Sequence, residues 1–391
     1  MPSMSRSRLL TLAALLMLLA TLAGPSLVSA QTVEFSGTAF ISDDAALSDK
    51  ITYDVTSIAD PSAGTEYVGW MVSQKRKLST GPMAVVDNAI SYSFDSNSPR
   101  YTGENLIQNF STIVITEEAA GTDPDQPVGP AVYSYTVPAG AMAHIRHLVA
   151  DWPAGGGVGI LTNLNLQVNV AVTHANLAKA SLDAGDLDGV KQHLEHVINA
   201  IEGPDGPNYG DVNGDGAVQD FGDGLGVLFH AADSKHAGFA AGTVPDDTVF
   251  NAHADLVAEY AANATRWSNK AVSQALKIID STSLPVATQF LGPGGNTVIS
   301  LTEAADNGND LSSGAGGAKQ AYTEGQLMAT YTLAAGGPAE GEVEEGSGTG
   351  GPSVGDSYVP LAAQMVMLTA ILLIGAGSIT LVARRKVRVR S

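Results

Sequence analysis

The chain has 391 residues, with 40 acidic side chains against 20 basic ones and no cysteine. A net charge of −20 offers no cationic surface to meet phosphates, which excludes nucleic acid as a partner. The lack of thiols excludes disulfides, thiolate zinc sites, iron–sulfur clusters and covalently attached c-type haem, leaving packed cores and metals such as calcium to supply stability.

Residues 1–30 carry Arg6 and Arg8, then an apolar run from Leu9 to Ala23, a break at Pro25 and the small-residue stretch Val28-Ser29-Ala30, the pattern of a cleavable secretory signal peptide. Residues 31–138 follow as short β-prone runs separated by Pro, Gly, Asn and Asp: Thr32–Ile41, Ile51–Ser57, Glu66–Val72, Met83–Val86, Ala89–Phe94, Thr112–Glu117 and Ala131–Val137. Such spacing with few helix formers predicts an antiparallel β-sandwich or small barrel, of which the sandwich is the expected fold. Within residues 33–135, the stretch Glu66-Tyr67-Val68-Gly69-Trp70-Met71-Val72 is followed by Gly81, Asn105-Leu106, Ile113-Val114-Ile115-Thr116-Glu117-Glu118 and Pro127-Val128-Gly129-Pro130. That succession resembles the extracytoplasmic β-domain of anti-sigma-K-type factors and implies a β-sandwich used outside the membrane. Those regulators carry a cytoplasmic helical segment ahead of their membrane span. Here a signal peptide stands in its place, so sigma-factor binding is not implied.

Residues 139–334 read as an all-α helical bundle. Leu161, Leu164, Val168, Val172, Ala175 and Leu182 form one apolar stripe; Leu164, Leu166, Val168, Val170 and Val172 also alternate with period two, and the Ala-, Leu- and Lys-rich run up to Gly185 favours the helix. Asp186 or Asp188 caps a second helix with Val190, Leu194, Val197, Ile198 and Ile201 on one side, ending at Gly203. Thr248 caps a third, along which His253, Val257, Tyr260, Ala264, Trp267, Ala271 and Ile278 share a face, and Lys319–Leu333 is the expected fourth.

Between the second and third helices lies Asp211-Val212-Asn213-Gly214-Asp215-Gly216-Ala217, with Asp220 and Asp223 following. Asp211, Asn213 and Asp215 occupy positions 1, 3 and 5 of a calcium loop, Gly216 the turn and Ala217 the backbone-carbonyl position. Residues 211–223 thus resemble an EF-hand or dockerin-type calcium loop, closed by Asp223 through a one-residue bulge, because position 12 is Gly222.

Six histidines, His144, His147, His174, His193, His196 and His253, fall on or beside these helices, and His193 and His196 form an H-x-x-H pair. Neighbours at i, i+3 can share a metal, and His174, His193, His196 and His253 are the candidates for a second metal or a non-covalent haem. Helical projection argues against a metal, since it sets His193 at the edge of the apolar stripe and turns His196 toward the polar face. His253 projects into the core, where it needs one buried partner. Neither H-E-x-x-H nor Glu-x-x-His occurs, so no catalytic constellation is present.

Residues 335–358 are a Gly/Glu-rich stalk, residues 359–383 an apolar stretch expected to cross a membrane once, and residues 384–391 a basic tail with Arg384, Arg385, Lys386, Arg388 and Arg390 that the positive-inside rule assigns to the cytoplasm. The whole reads as a multidomain chain: a β-sandwich, a helical bundle carrying a calcium loop, and a C-terminal transmembrane helix. The expected function is that of a non-enzymatic, calcium-stabilised cell-surface protein for adhesion, envelope structure or ligand sensing. Its partners would be the membrane and an extracellular ligand or protein. An anti-sigma-like transmembrane regulator and a metal- or haem-binding redox bundle are the alternatives.

Overall fold

The computed structural model describes residues 36–152, 157–308 and 316–338. The expected signal peptide, nearly all of the stalk, the membrane span and the basic tail lie outside the described residues. No helix among the described residues is long and apolar enough to cross a membrane.

Among the described residues nine strands form two antiparallel sheets. β1 (Ser36–Ser42), β2 (Lys50–Thr56), β5 (Ala89–Phe94) and β8 (Tyr331–Thr332) make one, in the order β5-β2-β1-β8. β3 (Thr65–Val72), β4 (Lys77–Met83), β6 (Thr112–Ala119), β7 (Ala131–Thr136) and β9 (Ala334–Ala335) make the other, in the order β4-β3-β6-β7-β9. Along β2, Ile51, Tyr53 and Val55 are buried while Asp54 and Thr56 face outward, the period-two pattern of a half-buried strand. The sheets meet where Tyr53 Oη lies 3.2 Å from Thr80 Oγ1, a contact that Gly69 permits: a Cβ there would stand 2.4 Å from Thr80 Oγ1. β4 escapes the sequence pattern because Gly81 and Pro82 read as a turn. As an edge strand it tolerates a proline, since one side of its backbone has no ladder to complete.

The helices are α1 (Leu106–Asn109), α2 (Ala139–Val149), α3 (Ile160–Asp183), α4 (Leu187–Glu202), α5 (Val227–Asp233), α6 (His236–Thr243), α7 (Thr248–Ile279), α8 (Leu284–Leu291), α9 (Val298–Asn307) and α10 (Ala318–Leu327). α3 and α4 form an antiparallel hairpin turned at Gly185, whose φ of 71° suits a residue without a Cβ, and Asp186 caps α4 by accepting the Gly189 N–H. The 32-residue α7 is capped by Asp247 rather than Thr248, and packs against α4, α5, α6, α9 and α10.

A sandwich followed by a separate bundle is therefore not the fold; the structure is mixed α/β. After α10 the chain returns to the sheets, β8 pairing with β1 and β9 with β7. The helix expected to run to Leu333 stops at Leu327 because Tyr331, fully buried, belongs to the sheet core. α10 itself is fastened to the β1–β2 connection: Tyr322 Oη and Gln326 Nε2 donate to Asp43 Oδ1 at 3.0 and 2.6 Å, and Gln326 also donates to Ser48 Oγ at 3.1 Å. Burial pushes the Asp43 carboxyl up, and these donors offset part of that cost. Beside the long α3, α4 and α7 stand several short helices that were not expected, of which α2, α5, α6, α8 and α9 have too few turns to display an unambiguous stripe.

Candidate metal centres

The α3–α4 hairpin sets His174, near the middle of α3, across from His193 and His196, one turn apart on α4. All three are buried, with His174 2 % and His196 3 % exposed. Their Nδ1 atoms converge: His174 Nδ1 lies 3.3 Å from His193 Nδ1 and 3.2 Å from His196 Nδ1. Two imidazole nitrogens bound at about 2.0–2.1 Å to one ion at the tetrahedral angle stand about 3.3–3.4 Å apart. His174 already holds that spacing to each of the other two.

Hydrogen bonding alone accounts poorly for the arrangement. His196 Nε2 lies 2.6 Å from Gln219 Oε1, which also accepts from Gln192 Nε2 at 3.4 Å, so this oxygen accepts and His196 Nε2 carries the proton. A neutral His196 then presents a bare lone pair at Nδ1, aimed into the cluster. One proton on His174 Nδ1 serves two neighbouring acceptors at best, and His174 Nε2 is buried with no partner. A cation at the convergence point uses all three lone pairs at once, while Gln219 plays the outer role that fixes a ligand's tautomer.

Burial pushes His174 down to about 3 and His196 down to about 4, the adjacent imidazoles adding to the first shift and the Gln219 hydrogen bond opposing the second. Burial also lowers His193, with Asp186 acting in the opposite direction. All three are consequently neutral near pH 7, the form that binds metal. The field of Asp186 at His193 and of Asp215 at His196 favours a cation.

The helical projection turned His196 toward the polar face, yet it is buried, because that face is covered by residues 203–226. Glu195 and Asn199, both fully buried, hold this loop down. Glu195 accepts the Asn213 and Gln219 N–H groups, each at 3.2 Å. Asn199 Nδ2 donates to Gly210 O at 3.2 Å and Gln219 O at 2.9 Å, and its Oδ1 accepts the Gly210 N–H at 2.9 Å. The folded-back loop delivers Gln219 to His196 and lays the Phe221 ring over the cluster, 4.8 Å from the His174 ring and 4.5 Å from that of His196. The histidine rings lie 4.6 to 5.5 Å apart, which leaves no slot for a planar haem between any two.

His253 does not join them. Half-buried on α7, its Nδ1 lies 2.6 Å from Glu324 Oε2 of α10. A second histidine cluster, with no counterpart among the expected ligands, joins α2 to α6 through His144, His147 and His236.

In the loop 211–223, Asp211 accepts the N–H groups of Gly214, Asp215 and Gly216 at 2.8, 3.0 and 2.9 Å. Asn213 accepts the Asp215 N–H and Asp215 accepts the Ala217 N–H. Asp223 is turned to other work: its carboxylate lies 2.6 Å from His230 Nε2 and accepts the Leu225 and Gly226 N–H groups ahead of α5. Burial works to raise Asp223, but the hydrogen bond and charge of His230 together with the Leu225 and Gly226 N–H groups outweigh it and hold the carboxyl below the usual carboxylate range. The described residues contain two groups of three metal-capable side chains with converging ligand atoms, and both consist of histidines.

No family model, curated protein or solved structure matches the chain.

Proposed function

We propose that this is an exported, non-enzymatic protein that binds a late first-row transition metal, Zn²⁺ or Cu²⁺, in the three-histidine centre His174, His193 and His196. The observation that carries the reading is the approach of the His193 and His196 Nδ1 atoms to the buried His174 Nδ1 at 3.3 and 3.2 Å, with His196 fixed from behind by Gln219. Imidazole-only donor sets suit zinc, copper and nickel, whereas calcium and magnesium require oxygen. The ion would tie α3, α4 and the loop 203–226 into one body, as an internal cross-link in a chain that has no disulfides. Three protein ligands leave one tetrahedral position, which a water molecule would fill beneath the Phe221 ring, screened from exchange with anions in solvent. The calcium loop is a separate proposal that rests on the carboxylate and amide oxygens of Asp211, Asn213 and Asp215.

Elemental analysis tests the reading directly, on protein produced without a polyhistidine tag and dialysed free of loose ions. The expected result is a transition metal retained at the buried centre, with one equivalent lost in His174→Ala while the far-ultraviolet dichroism is unchanged. Failure of the wild-type chain to retain or take up Zn²⁺ or Cu²⁺ would refute it.

A further inference from the structure

The second cluster is built on the same plan from different elements. His144 and His147 lie one turn apart on α2, as His193 and His196 do on α4, and the third imidazole comes from His236, the first residue of α6. The helices approach closely at Gly140, where a Cβ would stand 2.9 Å from Thr243 Cγ2. That approach brings His144 Nδ1 to 3.0 Å and His147 Nδ1 to 3.3 Å from His236 Nδ1. A neutral imidazole has one ring proton to share, so three converging Nδ1 atoms again present more lone pairs than protons to bridge them.

The surroundings differ from those of the buried centre in one respect that matters chemically. All three histidines are only half-buried. Trp152 forms one wall, 5.2 Å from the rings of both His147 and His236, and Phe239 another, 5.6 Å from His144 and 5.4 Å from His236. Phe239 is itself 50 % exposed, so aromatic rings flank a cluster that is in part accessible to solvent. Asp151 and Asp233 favour positive charge there; Lys235, which opposes it, is paired with Asp233 at 2.9 Å.

We propose that His144, His147 and His236 form a second transition-metal site of the open kind, which holds an ion on three imidazoles and exposes a coordination position to small anions or imidazole from solvent. Three-histidine sites with an unfilled position are the arrangement that lets a metal exchange ligands, whereas closed sites serve structure. The proposal stands on its own residues and does not depend on occupancy of the buried centre.

Co²⁺ is a suitable probe, because its visible bands report coordination geometry in a nitrogen-ligand site. The protein, titrated with Co²⁺ and then with azide, should bind two equivalents and change its visible spectrum when azide is added. His236→Ala should bind one equivalent fewer and lose the azide response. His174→Ala should also bind one fewer but keep the response. If His236→Ala does not fold, His144→Gln reads the same site with a side chain that still fills its space. An azide response retained in His236→Ala or His144→Gln, or Co²⁺ stoichiometry unchanged by these substitutions, would overturn the open site. Unchanged stoichiometry in His174→Ala would instead count against the buried centre alone.

Discussion

The buried centre makes a quantitative prediction about heat stability, read in a His236→Ala chain so that only one histidine cluster is present. Zn²⁺ at about one hundred times its dissociation constant should add about 2.7 kcal/mol to the folded state. In a folded unit of this size, about 1 kcal/mol moves the midpoint by roughly 2–4 °C, so zinc should raise melting by about 5–11 °C over chelator-treated protein. Removing one of three imidazoles leaves two ligands, so His174→Ala in the same chain should abolish most of the rise. Its effect on the metal-free protein is a different quantity. The substitution deletes a buried ring, which costs packing, but it also removes a buried nitrogen without a partner and relieves the crowding of lone pairs at Nδ1. The zinc-induced difference, rather than the metal-free midpoint, is therefore the informative number. Scanning calorimetry with zinc and with chelator on both chains supplies it. A zinc-induced rise that survives His174→Ala undiminished would refute the assignment of these ligands.

Three further outcomes follow from the same geometry. Gln219→Leu keeps all three ligands but removes the acceptor at 2.6 Å from His196 Nε2, and should weaken zinc binding by roughly 10- to 100-fold in competition with a chelator of known affinity; equal affinity would remove Gln219 from the site. In metal-free protein, His174 and His196 titrate at about 3 and 4 when folded, against about 6.5 when unfolded, so between these values the unfolded chain binds more protons. Their contribution is complete above about pH 6.5 and is lost as pH falls below it. Denaturant midpoints should thus drop from about pH 6.5 to 5, less steeply in His174→Gln. The carboxyls of Asp43, Asp49 and Glu195, raised by burial, act in the opposite sense nearer their own range, and equal slopes in the two chains would contradict the burial argument. For the loop 211–223, millimolar calcium should raise the melting temperature of the wild-type chain but not that of Asp211→Ala, and identical responses would leave the loop as a turn braced by its own Asx bonds.

What could be read from the amino-acid order was local. Six of the seven early strands stand within a few residues of where alternation and turn chemistry put them, because a strand's pattern is written in its own residues. The α3 and α4 stripes, the Asp186 cap and the Gly203 stop were legible for the same reason. β4 was not, because the edge position that excuses Pro82 is a property of the sheet. The separation into a β-part and an α-part failed at Tyr331, where a pairing with β1 across almost the whole chain overrides a helical continuation.

The histidines divide along the same line. The H-x-x-H spacing of His193 and His196 is visible in sequence, and so is that of His144 and His147. Nothing local says that His174, 19 residues earlier, faces the first pair, or that His236, 89 residues later than His147, faces the second. Projection of an isolated helix exposes His196; burial of its polar face required Glu195 and Asn199 to draw down a loop whose own sequence speaks only of turns and oxygen ligands. A metal site made of three side chains is a set of long-range distances. Sequence fixes which donors are available and, through the missing cysteines, which are not, while convergence of lone pairs on a point arises only when α3, α4, α2 and α6 are packed.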